Sequence, residues 1–134
     1  MANEAVIIEL HGGLKGGAMR FTCGNTDAIE KGALLFLVDP NTVSGAALQF
    51  RPFAGIAAEE KAASDGATTL GLYKNGKFDL KTGDAVNAGD LLSLSGSNIL
   101  RKATAADILS GCVVGKALEL AAVDEVIVVE VGRY

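Results

Sequence analysis

The chain has 134 residues, a formal net charge of −4 at pH 7, and a composition that is 49% hydrophobic and 21% charged. This length and composition fit one packed globular domain and exclude a disordered chain. The acidic balance and the lack of a basic stripe argue against nucleic-acid binding, which relies on Lys and Arg at phosphates. No apolar run approaches the roughly 20 residues of a membrane-spanning helix, so no membrane segment is expected.

The beginning of the chain and its cysteines indicate the expected compartment. No basic stretch precedes an apolar run at the N-terminus, so we expect no secretory signal and synthesis in a cytoplasm. Cys23 and Cys112 are then expected to be reduced and buried, with a disulfide as the less favoured alternative.

The first half of the chain predicts short strands separated by turns. Residues 4–10 predict a first strand, and residues 11–17, rich in glycine, predict a flexible turn before extended structure resumes over residues 18–22. Residues 33–38 form an apolar run, and the Asp-Pro-Asn turn signal at residues 39–41 ends it. We therefore expect residues 33–38 to form a buried strand.

A hairpin, a late strand and two helices complete the predicted elements. Asn-Gly at residues 75–76 predicts a type I′ turn between strands at residues 68–73 and 77–80. The β-branched residues of 125–131 predict a last strand. Residues 57–63 and 104–109 have helix-forming composition.

The second helix has both a start and a stop signal. Thr104 followed by Asp107 resembles a capping box, and Gly111 suits a left-handed C-cap.

An internal repeat is the most informative feature of the sequence. Residues 29–37 match residues 86–94 in their glycine and leucines, and later matched segments keep the same order, with offsets of 56 to 60 residues. The repeat predicts a mainly β fold, a small β-barrel or a β-clip (tulip-like) domain made of two pseudo-repeated halves, with one or two short helices. We expect an N-terminal strand and hairpin over residues 1–28 and the halves over residues 29–80 and 81–134.

No reactive constellation emerges from the sequence. His11, the only histidine, lies beside the glycine turn and has no cysteine near it in sequence. The serine-rich segment at residues 93–97 lacks the first glycine of a nucleophile elbow, and residues 111–117 lack the length and the Ser or Thr of a phosphate loop. No His, Cys and carboxylate cluster suggests a metal. We predict no enzyme activity, no cofactor and no metal.

A carrier or ligand-binding β module remains an alternative. The glycine-led segment at residues 87–92 resembles turns in lipoyl and biotinyl carrier domains, which present a modified lysine at a hairpin tip. Neither Lys74 nor Lys116 has the sequence context of those lysines.

The second resemblance covers the chain from about residue 29 to its end. Its glycine-marked segments are residues 53–61, 65–66, 73–80, 89–92, 114–119 and 126–131. In their order they resemble tailed-phage capsid decoration proteins, also called cement or head-stabilising proteins. The resemblance implies a structural virion protein on the capsid exterior, made in the host cytoplasm. It also implies a homotrimer that binds the phage major capsid protein and stabilises the expanded head.

The N-terminal strand is the predicted capsid contact. A short apolar strand can add to a sheet edge of a coat protein, or it can complete this domain's own sheet. The predicted contact residues are Ala2, Asn3, Glu4, Ala5, Val6, Ile7 and Ile8.

Overall fold

The computed structural model describes residues 3–9, 18–39, 41–45, 52–96 and 98–132. These residues form short strands and one short helix. The elements are β1 (Val6–Glu9), β2 (Met19–Cys23), β3 (Leu34–Asp39), β4 (Thr42–Ser44), β5 (Phe53–Ala57), β6 (Thr69–Tyr73), β7 (Gly76–Thr82), β8 (Leu91–Gly96), β9 (Ile99–Lys102), α1 (Ala105–Leu109), β10 (Val113–Ala117) and β11 (Glu125–Val131).

The strands form two five-stranded barrels in tandem. The first closes in the order β2-β4-β3-β5-β6. The second has the equivalent order β7-β9-β8-β10-β11, and β1 is added to it beside β7. In each barrel one pair is parallel, β2 with β4 and β7 with β9. The predicted mainly β fold from two repeated halves is confirmed, and each half closes its own barrel.

Backbone conformation repeats along with the strands. Gly32 and Gly89, which precede β3 and β8, have φ of 87° and 95°. Asn41 and Asn98, in the turns that follow those strands, have φ of 53° and 55°. Glycine and asparagine tolerate this left-handed region better than other residues, which explains why the sequence keeps them at matched positions.

The apolar run of β3 fills two cores at once. Leu35 points into the first barrel, where it packs in a cluster with residues such as Val43 and Leu72. Leu34 and Phe36, on the opposite face, belong to a larger cluster that includes residues of the second barrel. Alternate side chains of a strand face opposite sides of a sheet, so a strand between two cores is apolar throughout. The buried strand predicted at residues 33–38 is confirmed.

The hairpin predicted at Asn75-Gly76 is wrong. β6 pairs with β2 and β5, and β7 pairs with β11, β9 and β1, so the two strands around this dipeptide belong to different barrels. A type I′ turn needs positive φ at both central residues, and Gly76 has it (135°) whereas Asn75 does not. Asn75-Gly76 is therefore the link between the barrels.

The helix predicted at residues 57–63 is also wrong. β5 ends at Ala57, and Lys61 forms an isolated bridge with Ile29. The Lys61 ammonium is buried and donates to the carbonyl oxygens of Asn25 (2.7 Å) and Asp27 (3.1 Å). These contacts with distant parts of the chain outweigh the local helix preference.

The second predicted helix is confirmed as α1. Thr104 is its N-cap, and Thr104 and Asp107 form the reciprocal hydrogen bonds of a capping box. Gly111 has φ of 72°. Within the described ranges, no helix is long and apolar enough to cross a membrane.

Candidate interaction surface

The N-terminal strand β1 is an exposed apolar edge. It pairs antiparallel with β7, with Val6 opposite Asp79 and Ile7 opposite Phe78. Among the strands that the structure describes, β1 pairs only with β7, and no other described strand pairs with its outer edge. Three consecutive side chains are exposed: Val6 by 58%, Ile7 by 38% and Ile8 by 49%. Exposed apolar edge strands favour pairing with another chain.

A glycine holds the residues before β1 against the first barrel. The Ala5 N–H donates to the Gly32 carbonyl oxygen at 2.7 Å. A Cβ on Gly32 would lie 2.6 Å from the Ala5 carbonyl oxygen, so only glycine permits this close approach. The N-terminal segment therefore contacts both barrels, because Ala5 contacts Gly32 of the first and β1 pairs with β7 of the second.

An open cavity lies beside β1. Its volume is about 320 Å³, and its lining includes Val6 and Ile7 of β1 together with Ile56 and Tyr73 of the first barrel. The cavity extends the apolar surface of β1 toward the first barrel. The cavity lining is mainly apolar and also includes Lys31.

Of the predicted contact residues, Val6, Ile7 and Ile8 are exposed in β1, and Ala5 is the residue that contacts Gly32. Asn3 and Glu4 precede the strand, and Asn3 has φ of 64°. Ala2 lies outside the described residues, as does His11 with the glycine turn of residues 11–17.

The main buried polar cluster of the second barrel attaches α1 to the sheet. The Asp107 carboxylate accepts from Arg101 Nη2 of β9 at 2.8 Å and from Ser93 Oγ of β8 at 3.3 Å. Burial raises the pKa of Asp107, but hydrogen bonds from Thr104 and the charge of Arg101 outweigh burial and leave the pKa below its usual range. Ser93 is thus a donor in a structural ion-pair cluster.

The two cysteines and the two lysines considered for a carrier role lie in structural positions. Cys23 and Cys112 are buried and free, and burial raises the pKa of both thiols. Lys74 lies in the link between the barrels, with its ammonium 5.1 Å from the centre of the Phe21 ring. Lys116 lies within β10. Neither lysine is at the tip of a hairpin, where a carrier domain presents its modified lysine.

No three His, Cys, Asp or Glu side chains come together as a metal site within the part of the chain that the structure describes.

The fold defines this chain as a tandem β-barrel protein. No protein-family model matches it, and no curated protein matches it. Among solved structures it is similar to the N base of the head fiber gp8.5 of bacteriophage phi29, with a TM-score of 0.55 and 14% sequence identity. The match covers 85% of this chain and 92% of that one.

The likeness extends over both barrels and shows a shared fold. At 14% sequence identity the likeness does not indicate which residues of this chain bind a partner, or which partner they bind. No match to a decoration-protein family accompanies it, so the resemblance described from the sequence stays a prediction about family membership.

Proposed function

We propose that this chain is a non-enzymatic structural protein of a bacteriophage head, which attaches to the outer surface of the shell. Two observations support the proposal. The fold is similar to that of a phage head fiber base, and β1 exposes three adjacent apolar side chains beside an edge with which no other described strand pairs. The edge strand is the observation that carries the proposal, because a protein without a partner would gain nothing from exposing it.

In this proposal β1, with the preceding residues 2–5, forms part of the contact with the major capsid protein. The open edge of β1 offers main-chain hydrogen bonds to an extended coat-protein segment, and Val6 and Ile8 offer apolar contact on one face of the strand. The cavity beside Ile7 would accept a side chain of that segment.

The mechanism is mechanical. A protein that binds the expanded lattice and spans neighbouring coat subunits stabilises that lattice by mass action, because it binds the assembled state and not the dissociated subunits. We propose that the chain acts as a decoration protein in this sense and that it binds as a homotrimer. No covalent bond is made or broken in the process.

The test is binding to heads assembled from the coat protein encoded by the same genome. The purified chain should sediment with expanded heads, saturate at a fixed ratio to coat subunits, and raise the melting temperature of the heads in calorimetry. Failure of the wild-type chain to bind such heads at any concentration tested would contradict the proposal.

Two variants test the role of β1. Replacing Val6 and Ile8 together with lysine should weaken binding by at least about tenfold, since each substitution removes an apolar contact. Val38 is the matched control, because it is an exposed valine, 44% accessible, on β3 of the first barrel, which does not pair with β1. Val38→Lys should bind like the wild type.

A further inference from the structure

The loops that connect the last two strands of each barrel begin with the same backbone arrangement, although the loop of the first barrel is longer. In the first barrel, the Ala58 N–H donates to the Gly71 carbonyl oxygen at 2.9 Å, and the Gly71 N–H donates to a Glu59 carboxylate oxygen at 3.2 Å. In the second barrel, Leu118 and Glu119 make the same two bonds with Val128, at 3.0 and 2.8 Å.

The equivalence continues along the loops. Ile29 bridges to Lys61 in the first barrel, and Val86 bridges to Ala121 in the second. Three residues after each bridge, Ser64 and Asp124 adopt left-handed backbone with φ of 56° and 62°. Residues 58–64 and 118–124 can therefore be compared position by position.

The loop of the second barrel carries an exposed apolar patch that the equivalent loop of the first barrel lacks. We define the patch as Leu118, Leu120, Val123 and Val126, which are exposed by 37%, 71%, 60% and 61%. The first barrel carries Ala58, Glu60, Ala63 and Thr69 at the equivalent positions. The same loop thus forms without large apolar side chains, so folding does not require the patch. An exposed apolar cluster that the fold does not need marks a binding surface.

The charges around the patch indicate what covers it. Residues 118–126 contain three acidic side chains, Glu119, Asp124 and Glu125, and no Lys or Arg. Lys81 of β7 lies opposite Val126, so the charge around the patch is mainly negative. Two copies of the chain meeting face to face would bring these carboxylates together, which is unfavourable. Four side chains are also few beside the roughly 20–30 residues that a stable interface uses on each side. A partner with basic residues around an apolar contact fits better than a second copy.

We infer that the patch docks against a coat subunit of the head through an apolar contact with a basic rim. This inference rests on the proposed attachment to the head and adds a second contact to that of β1. Two small contacts on one barrel suit binding to a lattice, because the second contact forms at high effective concentration once the first is made.

The experiment uses the full chain and the same heads. Leu120→Glu places in the second barrel the residue type that the first barrel has at Glu60, so the loop should still fold. Leu120→Glu should weaken binding to heads by about tenfold or more, because it places a carboxylate where the contact would bury an apolar leucine side chain. Leu109→Glu is the matched control. Leu109 is 88% exposed on α1, which packs over β8 and β9 through Asp107, and this variant should bind like the wild type.

A charge variant tests the basic rim. Glu125→Lys should weaken binding severalfold at low salt, and the difference from the wild type should shrink as ionic strength rises.

The outcomes separate this inference from the proposed function. If the wild-type chain binds heads and Leu120→Glu binds equally well, the inference is wrong and the attachment stands. If the wild-type chain does not bind heads, the proposed function itself fails. If light scattering shows the wild type as an oligomer and Leu120→Glu as a monomer, the patch is covered by a second copy and the inference is overturned.

Discussion

The side chain of Asn98 in the second barrel forms a hydrogen bond with the first barrel. Its side chain is 2% exposed, and its Oδ1 accepts a hydrogen bond of 2.8 Å from the Leu34 N–H at the start of β3. Its own backbone is left-handed, with φ of 55°. Asn98→Ala therefore removes an acceptor from a buried N–H and places alanine in an unfavourable backbone region.

The two costs can be estimated separately. An unsatisfied buried N–H costs about 1–3 kcal/mol, and alanine at positive φ adds about 1 kcal/mol. The free energy of unfolding should therefore fall by about 2–4 kcal/mol. For a chain of this size, 1 kcal/mol shifts the melting temperature by about 3.5 °C, so we expect Asn98→Ala to lower it by about 7–14 °C.

Asn41, which the internal repeat places at the position equivalent to Asn98, is the control for the backbone cost. It occupies the equivalent turn of the first barrel with nearly the same φ, 53°, but its side chain is exposed. Asn41→Ala should therefore carry only the backbone cost, about 1 kcal/mol or roughly 3–4 °C. Thermal and urea unfolding of the two variants would measure the difference. Equal destabilisation would show that the bond between Asn98 and Leu34 contributes nothing.

Three further predictions concern the cores. Gly115→Ala should lower the free energy of unfolding by roughly 1–3 kcal/mol, since its Cβ would overlap a main-chain carbonyl oxygen of β11; Gly96→Ala, with no atom within 4 Å of its Cβ, should change it by less than about 0.5 kcal/mol in the same urea titration. Asp107→Asn should cost about 3 kcal/mol at pH 7, because it breaks a buried ion pair with Arg101. The pKa of Asp107 is lowered in the folded state, so the ionised carboxylate stabilises the fold fully above the unfolded pKa of about 3.9, and this stabilisation is lost as pH falls through the folded pKa. Unfolding curves should therefore show less acid sensitivity in Asp107→Asn than in the wild type. Equal acid sensitivity would contradict a stabilising role for the ionised carboxylate. Lys61→Met should cost about 2–3 kcal/mol in thermal unfolding, because it leaves the carbonyl oxygens of Asn25 and Asp27 without their donor and breaks the ion pair with Asp65. An unchanged melting temperature would refute a structural role for this lysine.

The sequence predicted those parts of the fold that depend on patterns repeated along the chain. The match between residues 29–37 and 86–94 indicated two related halves, and the glycines within it mark equivalent left-handed positions, Gly32 and Gly89. The apolar run at 33–38 predicted burial, although the sequence alone did not show that its two faces fill different cores.

Local signals failed where long-range pairing decided the structure. Asn75-Gly76 has the chemistry of a hairpin turn, but the strands on either side of it find better partners within their own barrels. Residues 57–63 have helical composition, but the buried ammonium of Lys61 holds them in an irregular loop. Neither set of partners is close in sequence, so turn and helix preferences could not reveal them.

The candidate contact surface was partly predictable. The apolar strand at the N-terminus was recognised as a possible contact, and the structure leaves Val6, Ile7 and Ile8 exposed on an open edge. The apolar patch on the second barrel was missed, although the signal was present in the repeat. Aligning Glu60 with Leu120 would have shown that only one of two equivalent loops carries large apolar residues.

We propose that the second barrel faces the outside of a phage head through β1 and the apolar patch. Cryo-electron microscopy of heads saturated with the chain measures this orientation directly. We predict added density on the outer shell in which β1 and residues 118–126 contact coat subunits, with the first barrel's loop at residues 58–68 free of that contact. Heads without added density, or density in which the second barrel points away from the shell, would contradict the claim.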